Sequence, residues 1–151
     1  MNTTVFAALG IGSLLTLGLP HRSPVHATAS TAADTTLASK LAGTWSVTRY
    51  DASSKAGKKF TINWAKDTAG AVTGTVKMPN GPSYATQVVW SSDTAFIAES
   101  APHRSADLNE EVVTRMVSRF KGDSLTGTFE QRPMAYRGRT ETGRFVAARQ
   151  A

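Results

Sequence analysis

Few side chains in this 151-residue chain combine the residue type and the spacing that chemistry requires. Nucleophilic catalysis would fall to His103, which has Ser105 and Asp107 close by in the stretch 101–110. A Ser-His-Asp arrangement needs each member held by packed scaffold within hydrogen-bond reach of the next. Three neighbours on one polar loop do not meet that need, so His103 reads as a solvated loop histidine. Glu110 and Glu111 are adjacent, and on a strand adjacent residues point to opposite faces; they read as gatekeepers at a strand start. Glu99 falls outside with Ile97 if Phe96 and Ala98 point inward. A lone histidine with scattered acids matches no metal-ligand spacing. With no cysteine in the chain, thiolate catalysis, iron–sulfur clusters and Cys-type zinc sites are excluded. Gly-Thr-Val and Gly-Thr-Phe read as strand interiors rather than phosphate cradles. The sequence therefore predicts no catalytic residue, no metal and no cofactor.

Two sets remain that could bind rather than react. Arg132, Arg137, Arg139 and Arg144 cluster around Tyr136 with only Glu141 as counter-charge. Such a loop suits the anionic group of a ligand, and equally a solvated surface. The aromatic and sulfur side chains Trp64, Tyr84, Trp90, Phe96, Met116 and Phe129 could line a cavity, or could simply fill a core.

These residues need elements to hold them, and the pattern is that of strands throughout. From Gly43 onward eight short runs show the two-residue period of half-buried strands: 43–50, 58–65, 71–78, 83–91, 94–100, 111–120, 124–131 and 142–149. Tyr84, Val88 and Trp90 share one face of the fourth. Gly74 lies inside the third, where a bulge or bend is expected. Asn80-Gly81-Pro82 breaks the ladder, and Gly122-Asp123 is a two-residue hairpin signal. Short connections without a convincing helical stretch predict an all-β antiparallel meander. Closing it removes the exposed edges, giving an eight-stranded up-and-down barrel; an open sandwich is the alternative.

The N-terminus carries a different signal. Val5 to Leu19 is an apolar run of about fifteen residues, shorter than the roughly twenty of a membrane span, with Ala-ended cleavage sites at Ala27 and Ala29. The expected organisation is a signal peptide over 1–29, a flexible polar lead over 30–40, and one barrel domain over 41–151. Cleavage after Ala29 would remove Arg22 and no acid, lowering the formal charge from +6 to about +5. Export without cysteine suits a bacterial periplasmic or secreted protein, with no transmembrane span in the mature chain.

The opening strand Leu41-Ala-Gly43-Thr-Trp45-Ser-Val47 resembles the start of calycin-type barrels such as lipocalins, fatty-acid-binding proteins and avidins. In lipocalins and fatty-acid-binding proteins the Gly-x-Trp tryptophan packs under a basic side chain of the final strand. That resemblance implies a structural trio here of Gly43, Trp45 and Arg149. Parity selects Arg149 over Arg144, because Arg149 shares a face with Phe145 and Ala147. Only Trp64 and Trp90 follow Trp45, without the surroundings of an avidin site, so biotin is not carried across.

Two functions are expected from this reading, with an enzyme that uses the cavity as a third alternative. One is an exported, non-enzymatic, monomeric barrel that binds a small apolar or amphipathic molecule, an anionic one included. Its site would be Trp64, Tyr84, Trp90, Phe96, Met116 and Phe129, with Arg132, Arg137 and Arg139 at the mouth. The other is an envelope interaction or inhibitor module with a solid core. Strand count and the export signal argue against a nucleic-acid partner.

Overall fold

The computed structural model describes residues 31–52, 56–135 and 138–151, with side-chain surroundings from Thr36 onward. The proposed leader over 1–29 lies outside the described residues. An α-helix, α1 (Thr31–Leu41), is followed by β1 (Gly43–Asp51), β2 (Lys58–Lys66), β3 (Val72–Lys77), β4 (Ser83–Ser91) and β5 (Ala95–Ser100). Then come a two-residue β6 (His103–Arg104), β7 (Glu111–Lys121), β8 (Ser124–Pro133) and β9 (Glu141–Arg149).

Every long strand is antiparallel to two neighbours. The sheet runs β5-β4-β3-β2-β1-β9-β8-β7-β6, and β5 also pairs with β7, which closes it. The chain is therefore an all-β, closed eight-stranded antiparallel barrel, with β6 as a short extra strip beside the start of β7. Closure leaves no long edge for another chain to pair with. No helix among the described residues is long and apolar enough to cross a membrane.

The polar lead turns out to contain α1. Leu37 and Leu41 stand four residues apart, on one face of the helix, and both are buried in the core. Burying them removes apolar surface worth about 1.5–3 kcal/mol each, more than the weak propensity of the Thr-rich stretch opposes. Ala42 continues the helical ladder, its N–H donating to the Ala38 carbonyl at 2.8 Å. Gly43 then takes φ +106°, a left-handed turn that a side chain would strain, and sends the chain into β1.

At this end of the barrel the seams converge. Trp45 pairs with Arg149 across β1 and β9, and the guanidinium lies 4.8 Å from the indole centre. Trp45 Nε1 donates to the Leu41 carbonyl at 2.8 Å, and Arg149 donates to the carbonyls of Lys40 and Ala42. Lys40 Nζ donates to the Asp93 carbonyl at 2.9 Å, tying α1 to the β4–β5 turn.

Two local expectations are corrected. Gly74 carries no bulge: it pairs in register with Trp64 on one side and Thr86 on the other. It is glycine because a Cβ there would stand 2.8 Å from Trp64 and from the Thr86 methyl. The bulge lies in β4, where Val88 faces Ala98 but Trp90 faces Ile97, leaving Val89 as the extra residue. One inserted residue reverses the facing of everything after it. Trp90, inward by simple alternation, is consequently 53% exposed on the outer wall.

Candidate functional site

The alternation of β1 does not stop at Val47. It carries Arg49 and Asp51 onto the same inner face as Trp45 and Val47, and all four are buried. Arg49 is 8% exposed, with its guanidinium 4.6 Å from the centre of the Phe129 ring. Its Nε is 3.0 Å from Asp51 Oδ1, too poorly aligned for a hydrogen bond, and its Nη2 is 3.7 Å from Glu141. Nη2 also donates to Asp107, in the loop between β6 and β7. Lys58, at the start of β2, donates to Asp51 at 2.8 Å and to the second oxygen of Asp107. With its carbonyl turned to Arg49, Gln131 accepts from Nη1 at 3.2 Å; its amide then donates to Glu141 at 3.1 Å and Ser105 at 3.0 Å.

A second polar layer lies beside the first. His103 is drawn off its loop by pairing in β6 with Val112, and its ring stacks on Tyr84 at 3.6 Å and 7°. Nδ1 donates to the Ala101 carbonyl at 3.0 Å, while Nε2 stands 3.4 Å from the Thr114 hydroxyl. The solvated loop histidine is thus a buried one. Ser100 Oγ, 3.2 Å from Nδ1, is taken up by the Thr114 N–H at 2.8 Å, and Ser105 points to Gln131. Two hydroxyls, those of Ser100 and Thr114, thus lie within reach of the two ring nitrogens, buried with them.

Electrostatics follow from this crowding. Burial holds the His103 pKa below its ordinary value, helped by the Arg49 charge and opposed by the Ala101 hydrogen bond. Burial pushes the Tyr84 hydroxyl up to about 12, although Arg49 pulls the other way. For Glu141, burial and the nearby Asp51 and Asp107 raise the pKa against Arg49 and Lys58. Burial opposes ionisation of Asp107, but its bond to Lys58 and the charges of Arg49 and Lys58 prevail, leaving it low. Lys58 is the reverse case: burial lowers its pKa, and Asp107 and Asp51 more than restore it. Asp51, Asp107 and Glu141 bring one oxygen each within 4.8 Å, a cation's ligand spacing. Arg49 and Lys58 already supply the positive charge there.

These residues divide two spaces. Beneath them is an inner cavity of about 20 Å³, enough for about one water, lined by Phe60, Val76, Met116, Phe129 and Phe145 among others. Above them a cleft of about 300 Å³ opens at the mouth, walled by Met78, Pro79, Pro82, His103 and the 104–107 segment. Arg49, Met78, Tyr84 and Gln131 border both and form the partition.

Of the residues predicted to bind, Tyr84, Met116 and Phe129 line the inner cavity, and Tyr84 also reaches the cleft. Trp64 and Phe96 meet edge-to-face at 5.7 Å in the apolar core and line neither space. Trp90 is outside the barrel. Arg132 is exposed and paired with Glu130 at 3.1 Å, and Arg139 is exposed. Arg137 lies outside the described residues. Among the described residues, the cations that border the cleft are Arg49, Lys58, Lys59 and Arg104.

No protein-family model matches the chain, and no curated protein matches it in sequence. Among solved structures it is similar to one described as a redesigned β-barrel. That likeness has a TM-score of 0.50 at 14% identity and covers 76% of this chain and 95% of the other. It shows the fold alone. What the mouth does has to come from its own residues.

Proposed function

We propose that this is an exported, non-enzymatic barrel that binds a small amphipathic molecule in the mouth cleft. The observation that carries the reading is the cleft itself. At about 300 Å³ it reaches the lower bound of small-molecule sites, and it sets apolar Met78, Pro79, Pro82 and Tyr84 against convergent polar groups. The filled lower barrel supports a ligand at the mouth, and a long chain threading the lumen is not part of this reading. Lys59 and Arg104 at the rim favour an anionic ligand.

A second reading, an envelope interaction module, has its own support. Trp90, Ile97 and Val117 follow one another across β4, β5 and β7 on the outer wall, and Trp90 and Val117 are exposed. Native mass spectrometry of the protein exported by its own cells separates the two. The binding barrel retains an anionic adduct of small-molecule mass that Arg49→Met loses. A bare chain, or one that retains a protein through Trp90, supports the interaction module instead.

A further inference from the structure

Of the described cations at the mouth, Lys59 and Arg104 stand at the rim, whereas Arg49 and Lys58 are already paired with carboxylates. Arg49 and Lys58 face the carboxylates of Asp51, Asp107 and Glu141, so with every group ionised the cluster carries one net negative charge. An anion that is to bridge Arg49 and Lys58 has to replace the carboxylate that bridges them now. The three are not equivalent. Asp51 and Glu141 sit on β1 and β9, with backbones fixed in register opposite Gly143 and Gln131. Asp107 stands on the exposed tip of the 105–110 loop. The base of that loop is fastened by Ser105 N–H to the Glu110 carbonyl and Asn109 N–H to the Ser105 carbonyl, both 2.9 Å. Asn109, at φ 54°, turns the chain there, and no ladder holds Asp107 itself. Its two oxygens meet Arg49 Nη2 and Lys58 Nζ, one each, inside the cleft. A free carboxylate would make that same contact.

We propose that Asp107 is a tethered occupant of a carboxylate-binding site, and that a small monocarboxylate binds by displacing it from Arg49 and Lys58. The inference rests on the mouth cleft being the ligand site. Exchanging one carboxylate for another leaves the cluster's charge unchanged, so discrimination comes from the ligand's apolar part against Met78, Pro79, Pro82 and Tyr84. A phosphate dianion would add a further negative charge beside Asp51 and Glu141, and is disfavoured. The tether sets a threshold: only carboxylates with enough apolar surface outcompete it.

The test compares 2-naphthoate with its neutral counterpart 2-naphthamide on the parent chain and on Asp107→Asn, which keeps the shape and removes the charge. Expected is a gain on the order of tenfold in naphthoate affinity for the variant, with naphthamide unchanged. Adding Arg49→Met abolishes the gain. A variant that melts cooperatively yet binds naphthoate no better than the parent overturns the proposal. If the variant does not fold, the parent alone decides: naphthoate must shift the amide resonances of 106–109, and unmoved resonances overturn the displacement. Equal affinity of both probes for the cleft in both proteins refutes displacement and leaves the ligand site intact. Failure of either probe to reach the cleft in any variant removes both.

Discussion

The two ends of this barrel are built from the same strands but by opposite rules. Below the partition, Trp45, Val47, Ile62, Trp64, Phe96 and Leu125 fill the interior, and α1 adds Leu37 and Leu41. Trp45 Nε1 there takes the Leu41 carbonyl, tying α1 to the barrel. From the inner cavity up to the mouth the inner faces of the same strands carry Arg49, Asp51, Thr86, Ser100, Thr114 and Gln131. The lower end gains its stability from apolar burial. The upper end buries charges whose desolvation offsets most of their attraction, so it adds little net stability when intact. A protein that needed only to fold could have carried the apolar packing to both ends.

The largest effect is expected where the lower end is cut. Trp45→Ala should lower the unfolding free energy by about 3–5 kcal/mol, since Trp45 is 1% exposed and bears on α1, β9 and the core. A urea melt measures it. Somewhat less, about 3 kcal/mol, is expected from Arg49→Met at neutral pH, because Asp51, Asp107 and Glu141 lose their shared cation. If instead Arg49→Met stabilises the chain, the upper end is not the balanced charge cluster described above.

Arg149→Ala removes the stack on Trp45 and the donors to Lys40 and Ala42, and should cost about 1 kcal/mol in the same melt. His103 sharpens the contrast through pH. Its folded pKa is held below the ordinary 6.5, so the folded chain binds fewer protons than the unfolded one in that range. Its contribution is fully present above 6.5 and is lost as pH falls towards the folded value. Thermal melts between pH 7 and 5 should show this loss, and His103→Gln should flatten it. Trp90→Ser, on the outer wall, should change stability by no more than about 0.5 kcal/mol.

Much of the lower end was legible in the sequence. Strict alternation from Trp45 and from Phe145 fixes which side chains meet when the first and last strands pair, and Arg149 follows by parity. The helix was less visible because α1 shows its apolar face only through Leu37 and Leu41 in a polar run. The upper end was hidden for a physical reason. A charged residue on a strand is ordinarily solvated, and only the parity that buries Val47 places Arg49 and Asp51 inside. The partners of Arg49 come from β9 and from a loop some sixty residues away, a distance no local pattern encodes. Simple alternation misplaces Trp90 because a single inserted residue, Val89, changes facing without changing composition.

The division between the ends is tested most directly by a heteronuclear NMR titration of the parent chain with 2-naphthoate. Shifts confined to Arg49, Lys58, Met78, Tyr84, His103 and the 104–109 segment, with Trp64 and Phe96 unmoved, are the predicted result. Shifts centred on Trp64 and Phe96, or on Trp90 and Val117, would contradict it.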